Sequence, residues 1–287
     1  MGGYNMPIFI ISRLTFLEAV RRKIALAAFL LGVAFLILYG VGFYFITRET
    51  GLPTGSETTA QLVRSQIFNF LTNAGMYAVN FLTLAMGALV SADTLAGEIG
   101  SGTIQALVTK PVRRAEIVLG KWLGFAGLLA LYLLLMAGGV LAIVYVQVGY
   151  RVPNPVGGIG IIYLESLLIM TMSLACSSTF STLATGGTIF GLYGVAFIGG
   201  WVEQIGTLLR NQTAINIGIV SSLIMPSEAL FRRAAFEMTS ATARALGMSF
   251  GPSFVISVPS GAMVVYAALY LIAALAVAIR QFSGRDL

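Results

Sequence analysis

Six apolar segments divide this 287-residue chain, at 24–46, 68–90, 122–146, 159–177, 186–205 and 260–279. Each is close to or beyond the roughly 20 residues a helix needs to cross a bilayer. Lipid offers no partner to a backbone N–H or C=O, so a spanning segment must bond within itself as a helix or close into a barrel. Barrel strands need only about 10 residues, so segments of this length predict helices. The expected fold is an all-α integral membrane protein with six transmembrane helices. Composition supports this: 57% of residues are hydrophobic and 10% charged. Soluble domains carry roughly 25% charged residues, and a water-soluble fold cannot hide this much apolar surface.

Cations orient the spans. Arg21-Arg22-Lys23 precedes the first segment, and Lys110, Arg113, Arg114 and Lys121 lie between the second and third. Lys and Arg accumulate on the cytoplasmic side of membrane proteins, so both groups are placed inside. With six spans, the C-terminus with Arg280 and Arg285 joins them. Arg48, Arg64, Arg151, Arg210, Arg232, Arg233 and Arg244 then fall outside, several of them in the long 206–259 connection, where the rule loses force. The net charge of +6 is thus read as a topology marker. A nucleic-acid groove would interleave the cations with aromatic residues, and none is expected.

With no His and only Cys176, the chain has neither an internal disulfide nor a Cys/His metal cluster nor Ser-His catalysis. Ser177-Ser178 has no evident base, and Cys176 reads as an inert packed thiol. The first apolar run is too long for a cleavable signal.

The expected organisation is one transmembrane domain over 1–287. Residues 1–23 form an amphipathic helix in the cytoplasmic interface, with Ile8, Ile11 and Phe16 on its apolar side. Residues 93–121 form a structured cytoplasmic loop, and 206–259 an extracytoplasmic connection. The latter holds a helix from near Pro226 to Gly247, with Leu230, Phe231, Ala234, Ala235, Met238 and Ala241 on one face. Glu228/Arg232 and Arg233/Glu237 are spaced as i,i+4 pairs. This helix is expected on the outer surface of the bundle or at the lipid boundary, as a plain connector. Asn211-Gln212-Thr213 matches a glycosylation sequon.

Within the spans, Asn69, Asn73, Met76, Asn80, Thr83 and Gly87 share a narrow arc of one helix. Amides in lipid must point into the bundle, to line a substrate path or to bond neighbouring helices. Glu165 and Glu203 fall near the outer ends of their segments, where they are expected to anchor, with Arg151 and Arg210 as partners. Gly187, Gly191 and Gly194 on span five, and Gly120 and Gly124 at the start of span three, allow close helix contact, within the chain by default.

The loop after span two reads EIGSGTIQALVTKPVRRAEIVLGKW over 98–122. Thr103 can cap a short helix through about Thr109, placing Ile104, Leu107 and Val108 on one face at i, i+3, i+4. Pro111 stops it. Two turns cannot hold alone, because nucleation costs more than so few bonds return. Something must pack on that face, whether lipid, the rest of the chain or a partner. The order Glu98, Gly102-Thr103, Leu107, Pro111-Val112-Arg113-Arg114, Glu116-Ile117-Val118, Gly120-Lys121 resembles the permease subunits of type-2 ABC exporters.

That resemblance implies a transmembrane exporter half in a prokaryotic plasma membrane, paired with a second permease, identical or not. Its loop would be the coupling helix that docks on a separate ABC ATP-binding subunit, present in two copies. Ile104, Leu107 and Val108 would fill a cleft in that subunit; Glu98, Arg113 and Arg114 would contact its rim. Lys121 would mark the inner boundary of span three and snorkel to lipid phosphates. The chain lacks the P-loop pattern G-x-x-x-x-G-K-[ST], so ATP and Mg would be bound by the partner and no cofactor by this chain. An ion-coupled secondary transporter is the alternative; it calls for mid-membrane carboxylates or an inverted repeat, and no clear repeat is present.

Overall fold

The computed structural model describes residues 6–49, 57–100, 113–240, 244 and 257–284. Among these residues it is all helix and turn, without a strand. The helices are α1 (Met6–Arg21), α2 (Lys23–Glu49), α3 (Glu57–Gly100), α4 (Arg114–Val148), α5 (Pro155–Ser177), α6 (Thr182–Leu208), α7 (Gln212–Ile224), α8 (Ser227–Met238) and α9 (Gly261–Ser283). Six of them, α2–α6 and α9, are long and apolar enough to span a membrane, in agreement with the expected fold class.

Burial ranks the spans. The apolar window of α3 is 61% buried and that of α2 only 11%, so α3 is central and α2 lies at the edge with its apolar side chains outward. The main core joins Met76, Val79 and Met86 of α3 to Leu129, Leu133 and Met136 of α4 and Ile162 of α5. A second cluster at one end of the bundle joins Ile117 and Val118 of α4 to Leu174 of α5 and Phe282 of α9.

Local chemistry sets the breaks. The Glu116 carboxylate accepts from the Arg113 N–H at 3.1 Å where α4 begins. At its far end Gly149 adopts a φ of 68°, the left-handed C-terminal turn that glycine takes without strain. Asn154 caps α5 by accepting from Gly157 N–H at 3.2 Å, ahead of Pro155 in the first turn. Asn211 of the sequon caps α7, its side-chain oxygen accepting from Thr213 and Ala214 N–H.

Gly120 and Gly124 do bring helices together, and the visitor is α1. A Cβ on Gly120 would lie 2.7 Å from the Ile11 Cβ, and one on Gly124 would lie 2.7 Å from the Ser12 carbonyl oxygen. The opposite side of α1 exposes Phe9, Ile10, Leu14 and Leu17, a row suited to lipid. Because the Gly124 contact is with backbone, no rotamer relieves it. Gly124→Leu should displace α1 from α4 at a cost of about 1–3 kcal/mol. Maleimide labelling of Ser12→Cys in a Cys176→Ala background should speed up when Gly124→Leu is added; an unchanged rate would count against this seat.

The region after α6 departs from expectation. α7 and α8 form a pair bent by 101° between the fifth and sixth spans. The bend at Met225-Pro226 strips α7 of its last partners, and α9 supplies replacements. Tyr266 donates to the Leu223 carbonyl at 2.6 Å and Tyr270 to that of Ile224 at 3.1 Å. α8 is not a surface connector. Ser227 through Arg232, with Ala234, Ala235 and Met238, are buried. Phe231 meets Tyr77 of α3 edge-on at 4.9 Å between ring centroids. Gly158 of α5 leaves room for the Met238 side chain. Leu230, Phe231, Ala234, Ala235 and Met238 of the face seen in the sequence pack against protein, and Arg232, Arg233 and Glu237 have protein partners. On α6, Gly187, Gly191 and Gly194 meet nothing within 4 Å. Close approach instead uses Gly199 and Gly206 against Ser221 and Ala214 of α7, and Gly218 of α7 against Glu203.

Candidate functional site

Two features concentrate polar chemistry inside the bundle: the amide stripe of α3, and the charges that meet around α8. The stripe faces inward as its arc predicts. Asn69, Asn73, Asn80 and Thr83 are 6%, 5%, 1% and 0% exposed, where unpaired amides would be costly. Asn73 Nδ2 donates to Asn69 Oδ1 at 3.0 Å and to Thr239 Oγ1, just past α8, at 3.4 Å. Asn80 Nδ2 donates to Glu165 Oε1 of α5 at 3.3 Å. Thr83 donates to the carbonyl of Val79 in its own helix. The Gly87 position lets Leu129 of α4 come within 3.2 Å of where a Cβ would sit. So α3 is tied to α5 and to the end of α8 by side-chain bonds.

Glu203 lies near the end of α6, as expected, but Glu165 does not lie near the end of α5. Glu165 sits in the middle of α5 and is fully buried, with Asn80 as its donor. The helix begins at Pro155, four residues before the apolar run at 159, and this moves Glu165 from the end to the middle. Glu203 is buried and pairs with Arg232 of α8, Oε2 to Nη2 at 2.7 Å, while Ser257 Oγ donates to Oε1 at 2.6 Å. Neither Arg151 nor Arg210 is the partner; Arg151 stacks over the Tyr145 ring at 5.7 Å. The sharp bend before α8 brings Arg232 across to α6, so of the two i,i+4 pairs only Arg233/Glu237 forms, at 2.6 Å. Glu237 also accepts from Asn154 Nδ2 at 3.0 Å. Glu228 faces Gly200, where any Cβ would strike its side chain. Sequence reasoning missed this cluster. Its trace was Gly199-Gly200 next to Glu203, where missing side chains make room for a bulky polar neighbour.

At the other end of the bundle, Gly102, Thr103, Ile104, Leu107, Val108 and Pro111 lie outside the described residues. Glu98 falls in the last turns of α3. Arg113 is exposed at the start of α4, and Arg114 Nη1 donates to the Ser283 carbonyl at 3.0 Å, placing a cation at the C-terminal end of α9. Lys121 does not reach outward. It is 4% exposed, because positions three and four after Val118 and Ile117 share their inward face. The structure thus joins Arg114 to α9 and leaves Arg113 free of that contact, while Lys121 belongs to the packed start of α4.

Residues 9–287 match the family model described as ABC-2 family transporter protein. No curated protein matches the chain. The match covers all the spans and both polar features, and agrees with the resemblance read from the loop.

Proposed function

Because the chain belongs to the ABC-2 transporter family, we propose that it is the permease half of an ATP-driven exporter, powered by a separate ABC ATP-binding subunit that docks on 93–121. The observation that carries this reading is a family match over nearly the whole length of a six-span bundle. Two permease chains and two ATPase chains would form the particle, with ATP and Mg held by the ATPases and the termini of this chain in the cytoplasm of a prokaryotic cell.

Helix lengths support a lever. α3 is unbroken for 44 residues, about 66 Å at 1.5 Å per residue, against a hydrocarbon core of about 30 Å. Its apolar segment ends at Val90 in the sequence, so the ten further residues to Gly100 carry the helix about 15 Å toward the loop. α4 starts within the loop's far end at Arg114. A push on Ile104, Leu107 and Val108, with Glu98, Gly102, Thr103, Pro111, Arg113 and Arg114 shaping and bordering the contact, would tilt α3 and α4. The Asn73–Thr239 and Asn80–Glu165 bonds would pass that tilt to α8 and α5. In this reading the stripe of Asn69, Asn73, Asn80 and Thr83 acts as connection between helices, with the substrate path elsewhere.

Co-expression with a P-loop ATPase subunit tests the assignment. The two should purify together in equal numbers from membranes, and ATP turnover should require both. Ion or solute flux in liposomes holding this chain alone, without ATP, would instead establish the secondary-transporter reading.

A further inference from the structure

Where α1 gives way to α2, the two helices hold α4 at glycines on either side of a gap. A Cβ on Gly124 of α4 would meet the Ser12 carbonyl oxygen of α1, and one on Gly32 of α2 would lie 2.6 Å from Met136 Sδ of α4. Between these contacts the helices part, and a slot of about 290 Å³ is left. Ala25, Met86, Leu128 and Tyr132 form its buried floor. Leu26 and Phe29 of α2 and Leu131 and Leu135 of α4 are its walls, 45–58% exposed and so open to lipid. The Tyr132 hydroxyl is spent on the Ala28 carbonyl at 3.1 Å, which leaves the lining apolar. The slot follows α4 from Leu128 to Leu135, about 10 Å.

One end of the slot is charged. Val20 and Ala25, both lining residues, bracket Arg21-Arg22-Lys23 at the break between the helices. Arg22 pairs with Glu18 at 2.7 Å. Arg21 and Lys23 are exposed, and among the described residues neither has a carboxylate partner. Arg13, also exposed, lies two turns back along α1. The acids of α3 that follow Met86 are Asp93 and Glu98, about 10 Å and 18 Å further along that helix toward the loop. The mouth of the slot thus carries two uncompensated cations, set where the apolar segment of α2 begins at Ile24. A helix is about 10 Å across, too wide for so slender a gap, so a second copy of the chain does not fill it. A hydrocarbon chain does, and basic pockets between membrane helices take anionic headgroups. We propose that the slot holds one acyl chain of an anionic phospholipid whose phosphate is bound by Arg21 and Lys23. Arginine offers that phosphate a fork of N–H donors and lysine a point charge. The inference does not depend on the exporter reading, since it concerns the α1–α2 break and needs no ATPase.

Phe29→Trp puts a fluorescent reporter in the slot wall. The full chain carrying it, purified in dodecyl maltoside, is titrated with phosphatidylglycerol brominated on its acyl chains; the unsubstituted chain, with Trp122 and Trp201, gives the background. Quenching of the added tryptophan should saturate. Unbrominated phosphatidylglycerol should then relieve it at a concentration about tenfold or more below that of phosphatidylcholine with the same chains. Adding Arg21→Gln and Lys23→Gln, at exposed positions where thermal unfolding should not change, should bring the two lipids within about threefold of each other. Arg13 and Arg22 remain to hold the orientation of the chain. Absence of saturable quenching would mean that the slot is closed to lipid and overturns the proposal. Equal displacement by the two lipids, or a preference that survives both substitutions, overturns it as well.

Discussion

Arg232→Met should destabilise the folded chain by about 3–5 kcal/mol, the usual result of removing one member of a buried ion pair. The pair satisfies the conditions for a large effect: Arg232 is 2% and Glu203 6% exposed, and they meet at 2.7 Å. Methionine fills much of the same volume but donates nothing, so the Glu203 carboxyl would be left with only the Ser257 hydroxyl as a donor. Surface pairs behave differently, contributing about 0–1 kcal/mol, so Glu18→Gln, which breaks the exposed pair with Arg22, is the matched control. Denaturant unfolding in detergent, followed by fluorescence of Trp201 two residues from Glu203, gives the comparison. The double variant Arg232→Met, Glu203→Leu should recover most of the loss, because it removes both charges together. A single-variant loss below about 1 kcal/mol would mean that water reaches the pair and that α8 is not held by it.

The spans were legible because they depend on length and hydropathy, properties each segment carries by itself. The inward stripe of α3 was legible for a similar reason: lipid leaves amides one direction to point. The position of α8 was not. SEALFRRAAFEM holds two arginines and two glutamates, and charged residues on a short helix read as solvated. Arg232 is met by Glu203 on α6 and Glu237 by Asn154 at the start of α5, contacts made by the 101° bend between α7 and α8. Glycine patterns were half informative. Gly120 and Gly124 receive α1, whereas Gly187, Gly191 and Gly194 stand open. A glycine permits close approach, and whether a neighbour arrives is decided by the rest of the fold. The docking residues from Gly102 to Pro111 were read from pattern and resemblance alone.

Leu107→Asp should abolish coupling to the ATPase while leaving membrane insertion intact. Ile104, Leu107 and Val108 share a face only if 103–109 is helical, and so short a helix needs a partner to exist. Burying the leucine contributes roughly 1.5–3 kcal/mol. Aspartate forfeits that and adds the cost of desolvating a carboxylate within an apolar cleft. Losing even about 3 kcal/mol weakens association about a hundredfold, enough to empty the complex at cellular concentrations. Insertion should be untouched, because position 107 lies outside the six apolar segments of the sequence. Membrane-fraction abundance should therefore match the parent, whereas recovery of the ATPase on the purified permease and its stimulated ATP turnover should both fall to background. Leu107→Met, which keeps the apolar volume, should retain both. If Leu107→Asp yields a stoichiometric complex with full ATP turnover, the proposed docking on 93–121 and the lever proposed through α3 and α4 both fail.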